Sequence, residues 1–151
     1  MRSIVVAVLL CLPVFAQNGS QSNRSEMIKF AVKSAVSAVN FKQGDLVGFN
    51  SARAEFTVEG WNDFIHHNEG FLDQNGAPTF TSTFMTTADA RILCDANGRL
   101  HLGIPGTLTQ SNNISRTTYR AVALDVVVGG TPAKIEKLEQ VMCAGSSPAC
   151  K

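Results

Sequence analysis

The 151-residue chain holds 13 Lys and Arg against 12 Asp and Glu, a formal net charge of +1. Near-neutrality without a polybasic run speaks against a nucleic-acid binder and against attachment to an anionic membrane surface. Once an N-terminal leader is set aside, about 135 residues remain, enough for one domain around one core.

That leader is residues 1–16. Arg2 supplies a short positive region and Ile4 to Leu12 an apolar run. Pro13-Val14-Phe15-Ala16 then ends with small residues at the positions a signal peptidase reads. The apolar run is shorter than the ~20 residues that cross a bilayer, so it reads as a secretory signal cleaved near Ala16. The mature protein is therefore expected in the periplasm or secreted, with no stable membrane anchor. Residues 17–24, from Gln17 to Arg24, read as a disordered leader. Ser25 is the predicted N-cap of a helix, with Glu26 behind it and Ile28, Val32, Ala35, Val36 and Val39 on one face. Asp45 caps a second helix running to about Phe56. Thr57 caps a third, with Glu59 favourable in its first turn and Trp61, Phe64 and Ile65 along one side. Gly70 and Asn75-Gly76-Ala77-Pro78 close the helical half.

From Phe80 the pattern changes to that of strands. Phe80 to Thr87 is rich in Thr and Phe, and Ala88, Ala90, Ile92 and Cys94 alternate. Asp95-Ala96-Asn97-Gly98 marks a hairpin turn in which Asn97 or Gly98 takes positive φ. Leu100, Leu102 and Ile104 alternate on the return strand, which Pro105-Gly106 is expected to kink or bulge. Ser111-Asn112-Asn113 turns the chain into a β-branched run from Ser115 to Val128, closed by Gly129-Gly130. Thr131 to Cys143 is open to two readings. Thr131-Pro132 and the spacing of Ile135, Leu138 and Val141 suit a helix, whereas completion of a sheet after a two-glycine turn suits a strand. We read a strand. The fold class is then α+β, with N-terminal helices packed on a curved antiparallel sheet of about four strands. Residues 25–143 form a single domain and residues 144–151 a C-terminal tail.

Cys11 leaves with the signal, so Cys94, Cys143 and Cys150 remain, an odd number that implies one disulfide and one free thiol. Cys143 and Cys150 flank a flexible Ala-Gly-Ser-Ser-Pro-Ala stretch, and their pairing is preferred to Cys94 with Cys143, which needs adjacent strands. Cys94, in an alternating apolar pattern, is expected to be buried. No CxxC and no Cys/His cluster supports redox chemistry or zinc, and neither a metal nor a cofactor is expected. His66 and His67 point about 100° apart on a helix and read as an exposed helix end. His101 reads as solvent-facing. Asp125 interrupts an apolar strand, and alternation puts it on the face of Tyr119, opposite Val122, Leu124 and Val126. That face reads as solvated; the alternative is a general base with a raised pKa beside Tyr119. There is no Gly-x-Ser-x-Gly, Gly-x-Gly-x-x-Gly or phosphate loop, so no catalytic residue and no enzyme activity is expected.

The most distinctive stretch is Phe56-Thr57-Val58-Glu59-Gly60-Trp61-Asn62-Asp63-Phe64, an aromatic before a capping Thr and two aromatics on the helix that follows. It resembles the Phe-Thr-x-x-Gly-Trp-x-x-Phe element of DotI/IcmL proteins, periplasmic-domain scaffold subunits of type IVB secretion and related conjugation machines. Val39-Asn40-Phe41 before it and Leu102-Gly103-Ile104-Pro105-Gly106-Thr107-Leu108 after it extend the resemblance over about Ser34 to Val141. The resemblance implies a VirB-type variant of the nuclear-transport-factor-like α+β fold and a last strand, and gives Phe56, Thr57, Gly60, Trp61 and Phe64 a structural role. It brings no catalytic residue. DotI/IcmL proteins are similar in being anchored by an uncleaved helix, whereas this leader carries a cleavage signal, and Cys143 and Cys150 lie outside the resemblance. The expected function is an exported protein-interaction module, a soluble relative of that scaffold with protein partners in a cell-envelope secretion complex. A sheet edge or helix face would dock, marked by exposed aromatic patches. Binding of small apolar ligands, or acid–base chemistry at Asp125 and Tyr119, is the alternative, and a secreted protein acting on a host a third.

Overall fold

The computed structural model describes residues 15–143 and 148–150, so the expected signal lies outside the described residues except for its last two. Helix α1 (Phe15–Val39) crosses one face of the sheet on a stripe of short side chains. Ala31, Ala35, Ala38 and Val39 are all at most 2% exposed, while Met27, Ile28, Val32 and Val36 flank them half-buried. Residues spaced by three and four share a helix face, and small ones let the helix approach the sheet closely. The start of α1 corrects the sequence reading. Residues 17–24 are helical rather than a disordered leader, and Ser25 lies inside the helix instead of capping it. No proline interrupts this stretch, and extending a helix already anchored by packing adds one hydrogen bond per residue fixed. Arg24 holds the early turns to the sheet through an ion pair with Asp95 at 3.1 Å.

Helix α2 (Leu46–Ser51) begins where Asp45 accepts the Gly48 N–H at 2.8 Å, and a 3₁₀ turn, Ala52–Glu55, carries the chain to Phe56. Helix α3 (Val58–Asn68) begins where the Thr57 hydroxyl accepts the Gly60 N–H at 3.0 Å, and it ends in a 3₁₀ turn, Glu69–Phe71. Both caps satisfy donors that a helix start leaves without partners.

Five strands follow: β1 (Thr81–Thr86), β2 (Arg91–Ala96), β3 (Arg99–Ser111), β4 (Arg116–Gly129) and β5 (Lys134–Met142), paired antiparallel in a curved, open sheet. The sheet is four strands wide, because β1 and β2 share one edge of β3, at Gly106–Ser111 and Arg99–Gly103 respectively. Pro105 falls in the gap between them. Its carbonyl accepts the Thr87 N–H at 3.0 Å, so its nitrogen, which has no proton to donate, faces an edge with no strand to serve. Asn97 (φ 55°) and Gly98 (φ 72°) form the two-residue turn between β2 and β3. The segment from Lys134 is a strand, so sheet completion outweighed the helical spacing.

Three bulges decide which way side chains point. On β2 the partner shifts between Ile92 and Cys94, leaving Leu93 as an extra residue. On β4, Arg120 and Ala121 together oppose Thr107, and on β5 Glu136 is extra. Each offsets the alternation by one. The inner face carries Leu100, Leu102, Ile104, Leu108, Val122, Leu124, Val126, Val128, Ile135 and Leu138, all buried beneath the helices.

Candidate interaction surface

The distinctive aromatic stretch is a docking joint inside the domain. Phe56 bridges Ile135 in parallel, and the Thr57 N–H donates to the Ile135 carbonyl at 2.9 Å. Gly60 lies so close to β5 that a Cβ there would stand 2.7 Å from the Ile135 carbonyl oxygen and 2.8 Å from that of Glu136. Glycine is what lets α3 close against the strand. Phe56, Trp61 and Phe64 are buried at 1–6% exposure and stack on one another and on Phe49, with ring centroids 5.3–6.1 Å apart.

Val39-Asn40-Phe41 closes the other side of the sheet. Phe41 exchanges both backbone hydrogen bonds with Ser82, while the Asn40 side-chain amide accepts the Phe84 N–H and donates to its carbonyl. One asparagine thus acts as a short stretch of neighbouring strand, blunting an edge that would otherwise invite pairing. Thr57 does the same for the start of β5.

A third edge stays open. Strand β5 pairs with Val122–Gly129 of β4, and Cys143 adds a last rung by donating its N–H to the Ala121 carbonyl at 2.7 Å. Among the described residues, Arg116 to Tyr119 therefore pair only with β3, and Arg120 lies in the bulge beside them. This end of the β3–β4 hairpin is held by a contact between the Thr109 and Thr118 hydroxyls at 3.2 Å and by an Asn112 carboxamide accepting the Ile114 and Ser115 N–H groups. Ile114 at its tip is 95% exposed. Arg116 and Arg120 are exposed and make no ion pair among the described residues.

The outer face corrects several expectations. The β4 bulge turns Tyr119 to the inner side, opposite Leu108 and against the core, while Asp125 stays outside, so the two cannot act as an acid–base pair. Asp125 is not on a solvated face either: its side chain is 17% exposed and bonds His101, which is half-buried rather than solvent-facing. The β2 bulge leaves Cys94 exposed, not buried. Of the expected C-terminal tail, residues 148–150 are described. Cys143 and Cys150 are joined with Cα atoms 5.2 Å apart, and the 3₁₀ turn Pro148–Cys150 lies on the outer face with Ala149 fully buried. A Cβ on Gly103 would sit 2.7 Å from the Ala149 carbonyl oxygen, so Gly103 makes the seat for this turn.

Exposed aromatic patches do not mark a docking face. Among the described residues Phe71 is the one exposed aromatic ring of the large hydrophobic residues, at 46%. His66 and His67 lie at an exposed helix end, yet carboxylates do stand near: Asp63 one turn earlier on α3, and Glu139 from β5, 3.7 Å from His67. Asp63 was visible four residues ahead in the sequence; Glu139 was not. Beside Glu139, the Lys137 amine lies 3.0 Å from the same carboxylate. Its pKa is raised above the ordinary 10.5 chiefly by that hydrogen bond; burial opposes the shift, and the charges of Glu139, Asp125 and Asp63 add to it.

No helix among the described residues is long and apolar enough to cross a membrane. No protein-family model matches the chain, and no curated protein matches it in sequence. Solved structures do match. The periplasmic domain of DotI superposes with a TM-score of 0.64 at 16% identity, over 78% of this chain and 94% of that one. An IcmL-like type IV secretion system protein from Legionella pneumophila gives 0.63 at 10% identity, over 82% and 96%. A periplasmic fragment of TraM gives 0.57 at 10% identity, over 85% and 99%. With its aromatic joint and helix-backed antiparallel sheet, this chain has the DotI/IcmL-like fold of those three solved structures.

Proposed function

We propose that the chain is an exported, non-enzymatic protein-interaction module, a soluble relative of DotI/IcmL scaffold subunits working in a type IVB secretion or conjugation complex of the cell envelope. The observation that carries this reading is coverage: the chain accounts for 94% of the DotI periplasmic domain and 96% of the IcmL-like protein, so it is alike as a whole domain and not in one shared piece. Cleavage near Ala16 would free it in the periplasm, an oxidising compartment that suits the Cys143–Cys150 bond. Its docking element is the open β4 edge. An extended, acidic segment of a partner subunit adds there as a strand, its backbone meeting Arg116 to Arg120 and its carboxylates meeting Arg116 and Arg120.

The test is tandem purification of a C-terminally tagged chain, after chemical cross-linking in its own cells, with mass spectrometry of what it captures. Secretion or conjugation subunits cross-linked within Ile114 to Arg120 support the proposal. A lone monomer in every envelope fraction sinks it.

A further inference from the structure

From Asp63, His67 and Glu139 we infer a binding site for one divalent transition-metal ion of the zinc type, clamping α3 to β5. One donor atom from each of the three side chains lies within 4.8 Å of the others. Asp63 and His67 stand one turn apart on the same side of α3, and β5 supplies Glu139. The His67 ring is already oriented for a metal. Its Nδ1 lies 2.8 Å from the Asp63 backbone carbonyl, which only accepts, so Nδ1 carries the proton and Nε2 the lone pair. Metal-bound histidines are held in this way, by the other ring nitrogen donating to a carbonyl. That free Nε2 is 3.7 Å from Glu139 Oε1, and a tetrahedron with bonds of about 2.0–2.1 Å places ligands about 3.3 Å apart. A small rotation of His67 or Glu139 closes that pair, and the Asp63 carboxylate, which lies 3.5 Å from Nδ1, must turn toward Nε2 to complete the set.

The donor set chooses the ion. One imidazole nitrogen with two carboxylates suits zinc, cobalt or nickel and disfavours calcium and magnesium, which take oxygen ligands. His67 and Glu139 also line a cleft of about 440 Å³, with Phe64, Phe71 and Leu138, so water has access to the fourth position. The site already attracts positive charge: the Lys137 amine rests on the same Glu139 oxygen that faces His67. An incoming ion must displace this amine, so Lys137 is a built-in competitor.

The experiment is titration of the tag-free full chain, in metal-free buffer, with zinc by calorimetry and with cobalt by visible absorption. One ion per chain should bind, with the cobalt spectrum of a four-coordinate site. His67→Ala and Glu139→Gln should each weaken binding by about tenfold or more, His66→Ala should leave it unchanged, and Lys137→Met should tighten it. The gain in the last variant cannot come from a misfolded protein. Binding that is not saturable, or that survives His67→Ala with equal affinity, overturns the site.

Discussion

At Gly60 a single hydrogen atom decides how a helix meets a strand. Replacing Gly by Ala in a helix interior ordinarily gains about 1 kcal/mol. Here the added Cβ would meet two backbone oxygens inside 3.0 Å, and neither can rotate away. Overpacking of this kind costs about 1–3 kcal/mol, so Gly60→Ala is expected to destabilise despite its helix propensity. Urea unfolding followed by circular dichroism measures this; a higher midpoint than the parent would refute the close-approach argument. Lys137 gives a second prediction. Folding raises its pKa, so its contribution to stability is complete below the unfolded value of 10.5 and disappears as pH rises past the higher folded value. As pH rises past 10.5, the urea midpoint of the parent should fall more steeply than that of Lys137→Met. Parallel pH profiles would show that the amine senses no net negative field.

Among the elements, the C-terminal turn is the one whose place was least evident. Pro148–Cys150 is short and could not hold itself on the sheet; the Cys143–Cys150 bond returns it to the end of β5, and Gly103 provides the seat. Closing a small loop stabilises by roughly 2–3 kcal/mol in the chain-entropy account, so Cys143→Ser with Cys150→Ser should lower unfolding stability by about that amount. Gly103→Val tests the seat separately. With the disulfide intact it should displace the turn, read as new proteolytic cleavage after about Met142, while β3–β4 pairing persists. If cleavage does not change, the turn is held by its bond alone. The Asp45 and Thr57 caps and the Asn97-Gly98 turn, by contrast, were legible in sequence, because each rests on the chemistry of three or four consecutive residues.

For the molecule as a whole, the distribution of edges matters more than any pocket. Asn40 and Phe41 close one side, Thr57 closes the start of β5, and among the described residues the Ile114–Arg120 region stays open, with Arg116 and Arg120 in no ion pair. Combined Ile114→Asp, Arg116→Glu and Arg120→Glu changes touch no core residue, so unfolding stability should stay within about 0.5 kcal/mol of the parent. Partner capture from the cell envelope should be lost, as measured by quantitative mass spectrometry of tagged protein. Undiminished capture would move the docking surface elsewhere, while the likeness of the whole domain to its structural neighbours would stand.

The sequence by itself determined the order of helices and strands, the Asp45 and Thr57 caps, the tight turn and the aromatic joint as a unit, because local hydrogen bonding and the spacing of apolar residues set them. Tertiary structure alone decided which way Tyr119, Cys94 and Lys137 face, since a bulge is one unpaired residue that leaves composition unchanged and shifts a whole face. It also decided that Glu139 joins Asp63 and His67, residues of α3 and β5 that meet only because Gly60 lets the helix rest against the strand.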